Sequence, residues 1–204
     1  MAGRMRLVNR ILYFFKPIQI WFQRRGRLET IISDESVTSI MALALPGDII
    51  LSYEAQRWTS IFIRGNYDHA TIVTPDKYIM EAVGDKFYNG RNLGGVRKVN
   101  MLAWLYRKDH VAIIRPTLND PGVNLKAAEK SLVYEGRGYD YSFCRDDETV
   151  YCSELAYICY NAYDKTFLDI IPEDKEILPI DYLKMCELQP YRFKCLYDTR
   201  KINA

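Results

Sequence analysis

Histidine is the scarcest reactive residue in this chain: 204 residues contain only His69 and His110. The five cysteines, Cys144, Cys152, Cys159, Cys186 and Cys195, form no Cys-x-x-Cys pair. Together these shortages argue against a structural zinc site, which needs closely spaced thiolate and imidazole ligands. An odd cysteine count also argues against a complete disulfide framework and fits a reducing compartment. Long apolar runs are missing too. The best candidate, Leu7 to Phe22, is interrupted by Asn9, Arg10, Lys16, Pro17 and Gln19, whereas a membrane span needs roughly 20 apolar residues. No apolar stretch ends in a small-residue cleavage site, so no signal peptide is evident. The glycine-rich stretch 89–95 lacks the Gly-Lys-Ser/Thr of a phosphate cradle. There is neither an internal repeat nor a low-complexity linker, and 49% hydrophobic residues suffice for one domain with a real core.

What charge there is lies unevenly. Overall the chain is only +2, but residues 1–30 carry seven Lys or Arg against Glu29 alone, a net +6 that leaves the remainder at −4. Leu7, Ile11, Phe14 and Phe15 can share one helical stripe before Pro17 interrupts it. A basic aromatic arm of this kind docks on a membrane surface or a protein assembly, or packs on its own domain. The string Ile20-Trp21-Phe22-Gln23-Arg24-Arg25 resembles a piece of a homeodomain recognition helix. The base-reading Asn is missing between Gln23 and Arg24, so no specific nucleic-acid partner is expected.

Ser33-Asp34-Glu35-Ser36 reads as a helix start, and Pro46-Gly47 as its stop. Strands are expected at 48–52, 70–73, 78–82, 96–99 and 110–115, with Thr74-Pro75-Asp76-Lys77 as the turn of a hairpin. Asn100 is placed to cap a short helix through Tyr106. Helices are expected over 124–135, stopped by Gly136 and Gly138, and over 150–162. Residues beyond 165 read as Pro-marked turns and short apolar runs, and 54–67 as a polar aromatic loop. The economical conclusion is one α+β domain, residues 44–204, preceded by an arm and helix over 1–43.

Tyr151-Cys152-Ser153-Glu154 begins one of these helices. A thiol there feels the helix dipole and the unpaired N–H groups of the first turn, and both favour thiolate. Position alone does not separate it from an ordinary buried cysteine. Thiol catalysis also needs a base. His69 and His110 both open strands, both directly after an aspartate, and neither is favoured by sequence physics. Glu81 lies in the apolar run 78–82, where a carboxylate is costly unless paired or exposed. If strands 69–73 and 78–82 pair with residue numbers summing to 150, His69 stands opposite Glu81 on one face. A sum of 151 separates them onto opposite faces, and the turn chemistry does not choose.

Five segments in order carry a resemblance: Leu45-Pro46-Gly47-Asp48-Ile49-Ile50-Leu51, Asp68-His69-Ala70-Thr71-Ile72-Val73, Met80-Glu81-Ala82-Val83, Tyr139-Asp140-Tyr141-Ser142-Phe143 and Tyr151-Cys152-Ser153-Glu154-Leu155. The chain resembles the permuted NlpC-type, papain-like cysteine hydrolases (the YiiX-like group) over roughly residues 44–165. In ordinary papain-like enzymes the Cys helix precedes the His strand. Here the His comes first and the Cys follows 83 residues later.

The resemblance implies an α+β permuted papain-like fold, with a small antiparallel barrel-like sheet packed against helices. It implies Cys152 as nucleophile, His69 as base and Glu81 as the polar third residue, with His110 structural and Glu154 supporting the site. Tyr53 and Gln56 are candidates for lining the cleft, though ordinary loop residues are the commoner case. The implied chemistry is thiolate attack on an amide or ester carbonyl, without metal or organic cofactor. The leading expectation is a cysteine amidase or peptidase acting on a cell-wall-type peptide. The alternatives are a lipid-directed thiol acyl hydrolase or acyltransferase at a membrane surface, and a papain-like scaffold used for binding or virion assembly. The expected location is cytoplasmic or membrane-peripheral, with a virion component as the third case.

Overall fold

The computed structural model describes residues 32–54, 67–84, 87–88, 91–120, 122–143 and 148–202. The basic arm, Gln56 and Cys144 lie outside the described residues. Helix α1 (Asp34–Leu43) begins at Ser33, whose Oγ accepts the Ser36 N–H at 3.2 Å. Strands β1 (Ile49–Tyr53), β2 (His69–Val73) and β3 (Ile79–Val83) follow, then the short β4 (Phe87–Tyr88) and β5 (Arg91–Asn92), and β6 (Gly95–Val99). Helix α2 (Met101–Leu105) is capped by Asn100, whose Oδ1 accepts the Ala103 N–H at 3.0 Å. The chain continues through β7 (His110–Pro116), α3 (Val123–Leu132), α4 (Cys152–Asn161), α5 (Pro179–Leu188), β8 (Phe193–Asp198) and α6 (Thr199–Ile202).

Six strands form one antiparallel sheet in the order β6-β3-β2-β1-β7-β8. Among the described residues the sheet is open: β6 and β8 are its edges, and the barrel-like closure that the family resemblance implies is not formed. Its inner strands read as near-continuous apolar runs because both faces are covered. On one face Ile49, Leu51, Ala70, Ile72, Met80 and Ala112 pack with Ala127 of α3, Leu155 and Cys159 of α4, and Tyr182 of α5. On the other Ile50, Val73, Ile79, Val111 and Ile113 pack with Val37 and Ile40 of α1 and with Met101, Trp104 and Leu105 of α2. The alternation along each strand thus sorts its residues between two cores.

The turn into β1 explains the Leu-Pro-Gly-Asp sequence. Gly47 sits at φ +89°, where a Cβ would collide with the Asn124 carbonyl. Buried Asp48 accepts from Arg115 Nε at 2.8 Å and from an Arg115 terminal nitrogen at 2.7 Å. That two-pronged pair fixes the start of β1 to β7. Tyr160 of α4 donates its hydroxyl to the Gly47 carbonyl at 2.6 Å, and the Gly47 N–H donates to the Val73 carbonyl at 2.9 Å. The last turn of α4 is thereby tied to the far end of β2.

Beyond residue 165 the expected turns are joined by regular elements. Helix α5 has Pro179 at its first position, where the missing N–H costs nothing, and the Asp181 carboxylate accepts the Leu178 N–H at 2.9 Å. Strand β8 adds to the sheet beside β7. Its burial runs Phe193 and Asp198 inward at the two ends with partly exposed residues between. An edge strand of this kind lacks the clean alternation that marks inner strands.

Candidate active site

Strands β2 and β3 pair Ile72 with Met80 and Val73 with Ile79. The residue numbers sum to 152, not the 150 considered from sequence. Because the shift is two residues, parity is kept and His69 and Glu81 still share a face. They meet diagonally: His69 Nε2 lies 3.0 Å from Glu81 Oε2. Both side chains are buried, at 2% and 1% exposure.

Glu81 is held from three sides. Its strand partner Arg97, opposite it on β6, donates through Nε at 3.0 Å and through a terminal nitrogen at 2.7 Å, both to Oε1. Trp104 of α2 donates its indole N–H to Oε2 at 2.9 Å. The Trp104 ring lies 6.4 Å from the His69 ring, centroid to centroid. Lys108 sits over the same indole at 4.4 Å and adds a positive charge nearby. Burial alone pushes the Glu81 carboxyl upward. The hydrogen bond and charge of His69, with the charges of Lys108 and Arg97, outweigh it and hold Glu81 well below the usual carboxylate range. Glu81 is therefore a fixed anion, and it orients one nitrogen of the imidazole.

Cys152 is the first residue of α4 and is 5% exposed. Its helix packs against β2 and β3. From Cys152 to Tyr160 the helix rises about 12 Å, and from His69 to Val73 the strand rises about 13 Å. With Tyr160 tied to the Val73 end, these matched lengths are what a helix lying along β2 would need for its first turn to reach the end where His69 begins the strand. The turn carrying the thiol is tightly held. Glu154 Oε2 accepts the Tyr151 N–H at 3.2 Å, as the carboxyl of a capping box does. The Ser153 hydroxyl donates to the Ile177 carbonyl at 2.7 Å, the Ile177 N–H donates to the Tyr151 hydroxyl at 3.0 Å, and the Tyr182 hydroxyl donates to the Ser153 carbonyl at 2.6 Å. Residues on both sides of Cys152 are thus fastened to the segment 177–182.

The other described cysteines differ. Cys159 lies in the core one side of α4, and Cys186 and Cys195 are partly buried on α5 and β8. Burial pushes the Cys186 thiol up to about 12 and raises Cys195 as well. His110, the other candidate base, opens β7 and stacks on Tyr53 at 6.1 Å. Its Nδ1 is buried without a hydrogen-bond partner. Burial, then the nearby Arg200 charge, holds its pKa below the ordinary 6.5 against the opposing pull of Asp109 and Asp198.

Sequence reading missed Arg97, Trp104, Ile177 and Tyr182. Arg97 was accessible in principle, since a β3–β6 register would have set it opposite Glu81. Trp104 reaches Glu81 from a different element, and the 177–182 segment reads only as part of a run of Pro-marked turns and short apolar stretches, so neither has a local signal.

Comparison with known families matches residues 44–171 to a family described as permuted papain-like amidase enzyme, YaeF/YiiX, C92 family. Among solved structures, a crystal structure titled metalloprotein yiiX from Escherichia coli O157:H7 is similar, with 24% sequence identity and a TM-score of 0.48, covering 59% of this chain and 67% of that one. No curated protein matches. Among the described residues no group of three or more His, Cys, Asp or Glu is arranged to hold a metal ion.

Proposed function

Because the chain belongs to the permuted papain-like amidases, we propose that it is a cysteine hydrolase whose nucleophile is Cys152, whose base is His69 and whose orienting carboxylate is Glu81. The observation that carries this reading is the buried His69–Glu81 pair at 3.0 Å, supported by Cys152 at the start of a helix that packs against β2 and β3. A histidine with one nitrogen committed to a fixed anion has its tautomer and orientation set, which is the task of the third residue in such sites. With Nε2 turned to Glu81, proton exchange with the thiol runs through Nδ1.

The chemistry then follows from these positions. The Cys152 thiol gives its proton to His69, and the thiolate sulfur attacks the carbonyl carbon of an amide. The carbonyl oxygen becomes an oxyanion facing the N–H groups of the first turn of α4. The imidazolium returns its proton to the departing nitrogen as the C–N bond breaks, leaving a thioester. Water, deprotonated by His69, attacks the thioester carbonyl and releases the acid and the thiol. The substrate class is a peptide amide of the cell-wall type.

A membrane-proximal acyl substrate is the second reading, supported by the +6 charge and aromatic stripe of residues 1–30. Flotation of the protein with anionic liposomes, lost on deleting residues 1–30, separates it from the first. For the site itself, iodoacetamide labelling followed by peptide mass mapping is decisive. Labelling concentrated at Cys152 below neutral pH and abolished in His69→Asn supports the reading. Equal labelling of all five cysteines in both proteins overturns it.

A further inference from the structure

We propose that Arg200 forms an anion subsite at the end of the sheet where His69 opens β2, reading a carboxylate carried by the substrate; this rests on the hydrolase reading above and specifies its substrate class. Four observations lead there. First, Arg200 is a held cation without an acid: its guanidinium lies over the Tyr67 ring at 5.1 Å and the Tyr53 ring at 5.4 Å, and no described carboxylate pairs with it. Stacking on two rings fixes the plane of the fork while leaving its N–H edge for a partner.

Second, the nearest carboxylate is committed elsewhere. Asp198 Oδ1 accepts the Tyr67 hydroxyl at 2.6 Å and the Arg200 backbone N–H at 3.0 Å. Third, two buried polar atoms of this cluster find no partner, Arg200 Nε and His110 Nδ1. Unsatisfied buried polar groups are costly and mark places where a ligand supplies what the protein does not.

Fourth, the cluster stands at the end of the sheet that carries His69. Tyr53 ends β1 opposite His110, which begins β7, and Asp198 ends β8 opposite Ala112. All lie at the end of the sheet where His69 opens β2. Tyr53 and Tyr67 pack with the core on the α4 face, the face that carries the thiol helix. At roughly 5 Å per strand, His110 is about 10 Å from His69 across the sheet. A planar carboxylate met by the Arg200 fork satisfies both the charge and the guanidinium donor.

Two measurements test this. The first compares hydrolysis of mono(4-nitrophenyl) adipate with 4-nitrophenyl hexanoate, esters of equal chain length of which only the first ends in a carboxylate. The expected kcat/KM favours the adipate by about tenfold, the size of one charge-assisted hydrogen bond, and Arg200→Gln removes the preference. Equal kcat/KM for the two esters, or a preference that survives in Arg200→Gln, overturns the subsite. The second follows the His110 ring signals by NMR in the full-length Cys152→Ala protein. Adipate shifts them, while neutral adipamide does not, so the comparison stands even if Arg200→Gln fails to fold. No shift with adipate, or an equal shift with adipamide, overturns the subsite. Failure of the two proposals is distinguishable. Adipate binding without turnover of either ester by the intact protein sinks the thiol reading alone, and turnover without adipate binding sinks the subsite alone.

Discussion

His69 and His110 begin two strands of one sheet, each directly after an aspartate, and their surroundings are opposite. His69 meets Glu81, which Arg97 and Trp104 hold in place. His110 meets the flat of the Tyr53 ring and a neighbouring Arg200 charge, and its Nδ1 has no partner. The two positions are alike in one dimension and become distinct only when the sheet assembles. A strand histidine takes its surroundings from what folding brings beside it, Glu81 of the neighbouring strand for His69 and Tyr53 for His110.

The largest test of this contrast removes the two members of the proposed thiol pair. Cys152→Ala or His69→Asn is expected to lower kcat/KM on an activated ester by 10³-fold or more, on the scale seen when a member of a catalytic triad is lost. Circular dichroism confirms that the fold is retained. Activity within about tenfold of wild type in the Cys152→Ala protein would end the hydrolase assignment at this residue.

Glu81→Gln comes next. It keeps the shape and one acceptor for Trp104, but it removes the fixed anion and leaves Arg97 without its ion pair. A loss of about 10²-fold in kcat with little change in KM is expected if the carboxylate orients the imidazole. An effect confined to stability, with kcat unchanged at a temperature where the variant is folded, would make Glu81 a purely structural anchor.

How much of this was readable beforehand divides along one line. The placement of Cys152, His69 and Glu81 on their elements was legible because each lies in a segment with its own local signature: a helix start, a strand opening and an isolated carboxylate in an apolar run. Parity was left open, because the turn chemistry allows sums of 150 and 151 alike; the observed sum of 152 shares the parity of 150, and so the His69–Glu81 contact exists. What surrounds them was not legible. Trp104 and Tyr182 act through helices that cross from elsewhere, and a side chain's destination across a tertiary interface leaves no trace in its own neighbours. The segment beyond 165 reads as Pro-marked turns and short apolar runs because β8 is an edge strand without clean alternation, although Ile177 and Tyr182 of this segment fasten the turn that carries Cys152. Closure of the sheet into a barrel was expected and did not occur, since edge pairing depends on contacts no single strand encodes.

The same two environments separate in acid. Both Glu81 and His110 have folded-state pKa values below their ordinary ones. In each case the unfolded chain binds the proton first as pH falls, so stability drops with acidification, but in different windows. For His110 the loss begins near 6.5, its ordinary value, and continues down to its lowered folded value. For Glu81 the loss begins near 4.5 and continues well below it. Thermal melts from pH 7.5 to 3.5 should show two successive limbs. His110→Asn should flatten the upper one and Glu81→Gln the lower. A single limb below 4.5, unchanged by His110→Asn, would mean that the His110 site does not resist protonation.

The smallest expected effect concerns the support of the thiol rather than the thiol itself. Tyr182→Phe deletes the hydroxyl that donates to the Ser153 carbonyl at 2.6 Å and leaves the ring in the core. One buried hydrogen bond of this kind contributes about 1 kcal/mol, so a modest fall in melting temperature is expected from the lost bond alone. If the 177–182 segment positions the first turn of α4, a second consequence follows that simple destabilisation does not produce. The pH dependence of Cys152 alkylation should shift, because the orientation of the N–H groups that stabilise the thiolate changes with the turn. Ser153→Ala, which frees the Ile177 carbonyl from the other side of the same turn, should shift it in the same sense. An alkylation profile identical to wild type in both variants would leave segment 177–182 as ordinary packing, and the difference between the two histidines would then rest on Glu81 alone.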